Sequence, residues 1–196
     1  MPVTYTNRKG ITYYLCQGMT KTGKVRYYFA RQPRAGSPDQ IPEGYLISES
    51  VNGVVSLALS RTPLIYEREV ASVDAILTQH PKSRDYRVIM KNSQIIIYER
   101  IGPDVDILSD LFENFTPLPQ ESVKKRIQEQ LDKMACFNPI LRFTLVDPDG
   151  RQFTAERWSF FGGIDDWFDT GESGRIDNLA HKLIPKLGSN DFFEMF

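Results

Sequence analysis

The sequence predicts an α+β protein in which antiparallel β-hairpins pack with helices. Three observations lead to this fold class. Short runs rich in Tyr, Val, Ile and Phe alternate with turn residues near the N-terminus. Apolar residues recur at helical spacing in later segments. Hydrophobic residues make up 41% of the 196 positions and charged residues 25%, which is typical of a chain that folds around a core.

The N-terminal segment predicts two hairpins. ITYYLCQ and KVRYYFAR flank GMTKTG, whose Gly18 and Gly23 allow the positive φ of a tight connection. Further along, YLISES and VVSLALS surround Asn52-Gly53, the dipeptide that most strongly indicates a hairpin turn. Because only a short loop rich in Pro and Gly separates the two pairs, we expect both hairpins to belong to one antiparallel sheet.

Helices and hairpins alternate through the rest of the chain. We expect a helix that ends before Pro81, a hairpin that turns at Asn92-Ser93, a short helix at 107–112, and a long helix over PQESVKKRIQEQLDKM. These are followed by a hairpin of ILRFTLV with RQFTAERWSF, a helix in RIDNLAHKLIPKLG, and a last element that begins at Ser189.

Residues 113–119 are the expected boundary between two halves, because Pro117 and Pro119 interrupt regular structure there. The prediction is a β-rich N-terminal unit at 1–112 and an α+β C-terminal unit at 119–196. A single compact domain remains the alternative, since a chain of 196 residues lies at the border between one domain and two.

The composition excludes several classes of protein. No basic leader and no run of about 18 apolar residues is present, so we expect a cytoplasmic protein with no membrane partner. Cys16 and Cys136 lack a neighbouring Cys or His, which indicates two packed thiols and no zinc site. Phosphate-binding motifs are also absent from the sequence, so we expect no cofactor.

Charge is distributed unevenly along the chain. Residues 1–38 contain seven basic side chains and no acidic one, whereas residues 101–196 contain ten basic and seventeen acidic side chains. Cations that neutralise phosphates and aromatic rings that support bases are the groups that a nucleic-acid-binding β-surface needs. The candidate residues for binding nucleic acid or another polyanion are therefore Lys9, Lys21, Lys24, Arg26, Tyr28, Arg31 and Arg34.

We expect one face of the second strand to be basic and solvated, and the other to be packed. Arg26 and Tyr28 share the first face by alternation, which makes Tyr28 the expected stacking residue. The competing interpretation is structural, because lysines and arginines on an edge strand prevent sheets from pairing with other chains. The sequence thus favours a non-enzymatic binding module and leaves edge protection open.

Two further functions remain as alternatives. A protein partner or accessory role would use the aromatic C-terminus, Phe192, Phe193 and Phe196. A metal-assisted hydrolase would gather the acids of residues 165–177, with His181 as a base, but a solvated loop with helix-capping acids is the favoured interpretation of that stretch. For His80, at a helix end, we expect a structural role.

The stretches TYTNRKGITYYL, KTGKVRYYFARQ and IPEGY resemble the opening of a group of uncharacterised bacterial proteins, and LRFTLVDPDGRQFTAERW is similar to their later part. The resemblance spans most of the chain. It implies a bacterial cytosolic protein and implies no activity, ligand or catalytic residue.

Overall fold

The α+β class predicted from the sequence is confirmed by the computed structural model, which describes residues 1–102, 108, 120–161 and 164–194. The strands within these ranges are β1 (Thr4–Thr6), β2 (Thr12–Met19), β3 (Val25–Ala30), β4 (Tyr45–Glu49), β5 (Val55–Leu59), β6 (Tyr86–Lys91), β7 (Gln94–Ile101), β8 (Cys136–Asp147), β9 (Gln152–Phe161) and β10 (Ile164–Gly174). The helices are α1 (Glu67–Thr78), α2 (Gln120–Met134), α3 (Ile176–Leu183) and α4 (Asn190–Phe193), with 3-10 turns at Ser83–Asp85 and Ile184–Lys186.

The chain divides into two compact units, each built from two separate segments. Unit 1 comprises Met1–Ser60 and Ile101–Cys136, and unit 2 comprises Arg61–Arg100 and Phe137–Phe196. This grouping differs from the halves 1–112 and 119–196 suggested by the sequence, because the hairpin β6–β7 joins the sheet of the C-terminal strands. The predicted short helix at 107–112 and the predicted boundary at 113–119 lie outside the described residues, except for Leu108.

Unit 1 contains the two predicted hairpins, but they do not form one sheet. Strands β1, β2 and β3 make a three-stranded sheet, while β4 and β5 pair only with each other. Asn7 supplies the connection between them, since its buried side chain donates from Nδ2 to the Gly53 carbonyl at 2.7 Å. Its Oδ1 accepts from the amides of Lys9 and Ile11 at 3.1 and 2.9 Å, which also fixes the β1–β2 turn.

Unit 2 is a five-stranded antiparallel sheet in the order β10-β9-β8-β7-β6, with the larger apolar core of the molecule. The predicted turn at Asn92-Ser93 is confirmed, and Asn92 adopts a left-handed φ of 45°. Helices α1 and α3 lie against each other and bury the apolar stripes expected from their sequences. The buried helix residues are Val73, Ile76 and Leu77 of α1, and Ile176, Leu179, Ala180 and Leu183 of α3.

Strands β8 and β9 present different chemistry on their two faces. Leu141 and Phe143 are fully buried in the core, as alternation predicts. On the other face, Arg142 donates from Nε and Nη2 to both oxygens of the Glu156 carboxylate, each at 2.5 Å. The Arg142 guanidinium also lies 4.4 Å from the ring centre of Trp167. This bidentate pair lowers the pKa of Glu156 from its ordinary value.

The C-terminal aromatic residues differ in burial. Phe192 is fully buried in the core of unit 2, so it is not available as the partner contact that the sequence suggested. Phe193 is 51% exposed. Its ring packs edge to face against the Phe192 ring, with 5.4 Å between the ring centres. Phe196 lies outside the described residues. Phe192 in the C-terminal aromatic cluster therefore serves the core of unit 2.

We expect Phe192→Ala to lower the free energy of unfolding by about 3 to 5 kcal/mol, because it removes a fully buried ring from a close-packed core. Urea denaturation followed by circular dichroism measures the loss. Phe193→Ala is the matched control, with an expected loss of about 1 kcal/mol for the exposed ring and its aromatic contact. Equal losses for the two variants would contradict the burial of Phe192.

The Arg142–Glu156 pair makes a pH-dependent contribution to stability. Because the native state holds the Glu156 pKa below its ordinary value of 4.5, the contribution is present above that pH and is lost as the pH falls. We expect Glu156→Gln to cost about 1 to 2 kcal/mol at pH 7 and progressively less towards pH 3, in urea denaturation at each pH. For comparison, Glu43→Gln replaces an exposed carboxylate and should change stability little at any pH.

Candidate nucleic-acid interface

The hairpin of β2 and β3 carries most of the predicted interface. Its turn closes through bonds from the Thr20 amide to the Lys24 carbonyl at 2.8 Å and from the Gly23 amide to the Thr20 carbonyl at 3.0 Å. Gly23 adopts a φ of 76°, a backbone conformation that is unfavourable for residues with a side chain. The strands pair in register, with Gly18 opposite Arg26 and Cys16 opposite Tyr28.

Three cations lie together at the end of this hairpin. Lys21, Lys24 and Arg26, called here the hairpin cations, are all exposed. None forms an ion pair with any residue in the described ranges 1–102, 120–161 and 164–194. At about 3.3 Å per extended residue, Lys24 and Arg26 are spaced closely enough to act on one ligand. The tip of the hairpin thus carries three positive charges that form no ion pair with a carboxylate of these described ranges.

Tyr28 continues the same face of β3, but its ring is not open to solvent. The residue is half-buried, and its Cε1 lies so close to Gly18 that a Cβ on that glycine would approach it to 3.3 Å. The guanidinium of Arg34 lies 5.7 Å from the ring centre, within the range of a cation–π contact. Tyr28 therefore supports the Arg34 guanidinium and does not present a free stacking surface.

The remaining predicted residues lie at the opposite end of the three-stranded sheet. Lys9 belongs to the β1–β2 turn, where its aliphatic stem packs near Gly53, and Arg31 directly follows β3. Since β2 has eight residues, its two ends are about 23 Å apart. Lys9 and Arg31 are thus separated from the hairpin cations. The structure groups Lys21, Lys24, Arg26, Tyr28 and Arg34, and it leaves these two apart.

The reverse face of the hairpin is packed only in part. Leu15 is fully buried. The centres of the Tyr27 ring and of the Tyr45 ring in β4 lie 6.3 Å apart. Met19 and Val25, which pair across the hairpin near the turn, are 73% and 52% exposed. The expected division into a solvated and a packed face is therefore wrong. At the tip both faces meet solvent, and in the middle of the strands Cys16, opposite Tyr28 on the face expected to be solvated, is fully buried, whereas Gln17, opposite Tyr27 on the other face, is exposed.

The Glu49 carboxylate is hydrogen-bonded to residues at the end of the three-stranded sheet that lies away from the hairpin cations. Glu49 accepts from the Tyr5 hydroxyl at 2.9 Å and from the Arg8 amide at 3.0 Å. The hydrogen bond to Glu49 raises the pKa of Tyr5 above its ordinary value. Arg8, in turn, donates from Nη2 to the Ala135 carbonyl. The Glu49 carboxylate therefore accepts hydrogen bonds from within unit 1, next to the β1–β2 turn.

The acidic stretch of unit 2 forms strand β10 rather than the solvated loop that the sequence suggested. Its carboxylates have local partners: Asp169 accepts from the Gly171 amide at 2.8 Å, and Glu172 pairs with Lys182 at 2.7 Å. Asp177 accepts from the Ser72 hydroxyl at 2.5 Å. Within the described part of the chain, no three His, Cys, Asp or Glu side chains converge as metal ligands would.

His80 has a structural role, and the two cysteines differ in burial. His80 accepts the Lys82 amide at Nδ1 and lies with Nε2 3.2 Å from the Leu187 carbonyl, which ties the end of α1 to a later turn. Cys16 is buried, as expected, whereas Cys136 is exposed, so the prediction of two packed thiols is wrong for Cys136. Both cysteines are free thiols.

Comparison of the chain with protein-family models, with curated proteins and with solved structures finds no match. None of the helices in the described residues is long and apolar enough to cross a membrane. The arrangement of the side chains is accordingly what bears on function. In unit 1 it includes the hairpin cations, which are exposed and form no ion pair with the described residues.

Proposed function

We propose that this protein is a non-enzymatic binding module that contacts nucleic acid through the outer face of the β2–β3 hairpin. The hairpin cations and Arg34 would neutralise phosphate groups. The observation that carries the proposal is that all three hairpin cations are exposed without an ion-pair partner among the described residues. A cytoplasmic location, expected from the sequence, would give this surface access to nucleic acid.

The geometry favours contacts with phosphates over contacts with bases. Base stacking needs an aromatic ring with a free face, and Arg34 occupies one side of the Tyr28 ring. Guanidinium and ammonium groups, in contrast, can reach a phosphate from any exposed position on the hairpin. We therefore expect binding with strong salt dependence and little sequence preference.

Edge protection predicts the same exposed cations without any ligand. β3 lies at the edge of the three-stranded sheet, where lysines and arginines discourage pairing with other chains. The two functions differ in one measurable property, since only phosphate contacts release counterions on binding. The salt dependence of nucleic-acid affinity therefore discriminates between them.

We expect the logarithm of the binding constant for a fluorescent single-stranded oligonucleotide to fall linearly with the logarithm of salt concentration. Replacement of all three hairpin cations by Gln, the tip variant, should make the slope less steep by about 2, because each phosphate contact on a single strand contributes about 0.7. Fluorescence anisotropy between about 50 and 200 mM salt measures both slopes.

A matched control removes the same charge from the exposed surface of α2. The control variant carries Lys125→Gln, Arg126→Gln and Lys133→Gln. Its slope should stay close to that of the wild-type protein. A wild-type affinity that does not respond to salt, or an equal loss in both variants, would refute the phosphate-driven interface.

The contact between Tyr28 and Arg34 makes a separate prediction. Arg34→Gln should reduce the slope by about 0.7, and Tyr28→Leu should produce a similar reduction because it removes the ring that supports the guanidinium. The double variant should lose no more than either single variant. Tyr28→Phe, which keeps the ring, is the control.

A different result would assign another role to the ring. If Tyr28→Leu weakens binding by about 1 to 3 kcal/mol without changing the salt slope, then Tyr28 stacks directly on a base. That outcome would contradict the supporting role inferred from the 5.7 Å contact. Circular dichroism of each variant checks that the half-buried position still folds.

A further inference from the structure

Unit 2 contains a second group of cations, which line a cavity of about 410 Å³. Three arginines from separate parts of the sequence meet there: Arg68 from the first turn of α1, Arg151 from the turn between β8 and β9, and Arg175 immediately before α3. The other lining residues are Glu69, Ile176 and Asp177. Their spacing in the sequence shows no motif, so the tertiary structure alone brings them together.

Arg151 forms a fixed wall of this cavity. Its Nε donates to Glu69 Oε1 at 2.9 Å, its Nη2 donates to Glu69 Oε2, and its Nη1 donates to the Leu64 carbonyl at 3.2 Å. The guanidinium carbon lies 4.0 Å from the centre of the Tyr66 ring. Glu69 therefore matches the charge of Arg151, and the pair holds the cavity in shape.

Arg68 and Arg175 are the other two cations, and together with the Asp177 carboxylate they leave the lining with one net positive charge. Both are exposed, and neither forms an ion pair within the described ranges of the chain. The Arg68 guanidinium lies 5.0 Å from the centre of the same Tyr66 ring, within the range of a cation–π contact. Asp177 contributes one negative charge but is already hydrogen-bonded to Ser72. The lining as a whole carries three positive and two negative charges.

The shape and charge of the cavity suit a tetrahedral oxyanion. Two guanidinium groups in a concave site can each donate two parallel hydrogen bonds to a phosphate, whereas an ammonium group acts as a point charge. The volume lies within the range of about 300 to 1,000 Å³ that is typical of sites for small molecules. A negative ligand would also restore the local charge balance.

We propose that this cavity is a binding site for the phosphate group of a small molecule, with Arg68 and Arg175 as the residues that contact it and Arg151 and Glu69 as the supporting wall. The Tyr66 ring, which does not line the cavity, contacts the guanidinium groups of Arg68 and Arg151. The site is separate in sequence and composition from the hairpin cations. Free phosphate and a phosphate monoester present the same oxyanion to the arginines, so the two possible sources are compared in the experiment.

The test uses the full chain and follows thermal unfolding as inorganic phosphate replaces chloride at constant pH and ionic strength. We expect the wild-type melting temperature to rise with phosphate and to saturate, as binding to a native site requires. The double variant Arg68→Gln/Arg175→Gln should raise the dissociation constant at least tenfold. A parallel titration with glycerol phosphate identifies the preferred source, and saturable stabilisation by either compound supports the site.

Two controls separate this cavity from other cations. Arg61→Gln/Arg84→Gln removes two exposed arginines of unit 2 that do not line the cavity, and its dissociation constant should remain within twofold of the wild-type value. The melting temperature of the tip variant should also rise with phosphate. Phosphate binding to the cavity can then be judged separately from nucleic-acid binding by the hairpin. If the double variant does not fold, the single variants should each weaken binding at least threefold.

The proposal is overturned if phosphate and chloride give the same melting curves at equal ionic strength. It is also overturned if the Arg61/Arg84 control loses as much affinity as the Arg68/Arg175 variant, because the response would then reflect overall charge and not the cavity.

Discussion

The pairing of β7 with β8 is the contact on which the organisation of the chain depends. It joins a hairpin from the middle of the sequence to the C-terminal strands, with the Leu145 amide bonded to the Ser93 carbonyl at 2.9 Å. The resulting five-stranded sheet is wide enough to bury one face of both α1 and α3. Because Ile101–Cys136 lies between the paired strands in sequence, this long-range contact also makes both compact units discontinuous.

The charged residues of the molecule fall into two physical classes. In one class, Arg142 and Arg151 each form a bidentate pair with a carboxylate and lie beside an aromatic ring, so their charges contribute to the architecture. In the other class, the hairpin cations, Arg68 and Arg175 have no ion-pair partner among the residues that the structure describes. Binding is proposed for the second class because these cations are clustered at the hairpin tip and around one cavity and form no ion pair with the described residues.

Local patterns predicted most of the elements, since turn chemistry and apolar spacing act over a few residues. The turns at Asn52-Gly53 and Asn92-Ser93 and the stripes of α1 and α3 are all confirmed. The expectation of one N-terminal sheet is wrong, because strand pairing depends on distant partners that local sequence does not specify. For the same reason, the sequence predicts a loop for the acidic stretch, although Ile164–Asp169, Ser173 and Gly174 pair with β9.

For the candidate interface too, the sequence predicts the location of the charge but not the environment of single residues. The excess of positive charge in residues 1–38 and its concentration near a hairpin turn are visible in the sequence. The half-burial of Tyr28 under Arg34, and the separation of Lys9 and Arg31 from the tip, depend on how the strands and the following loop pack.

The sequence by itself determined the α+β class, the hairpin turns and the uneven distribution of charge along the chain, because these follow from composition and short-range spacing. The tertiary structure alone decided which arginines are neutralised, which tyrosine is covered, and that Arg68, Arg151 and Arg175 line one cavity. The physical reason is that a charge is defined as paired or free only by groups that folding brings within a few ångströms, and these groups come from distant parts of the chain.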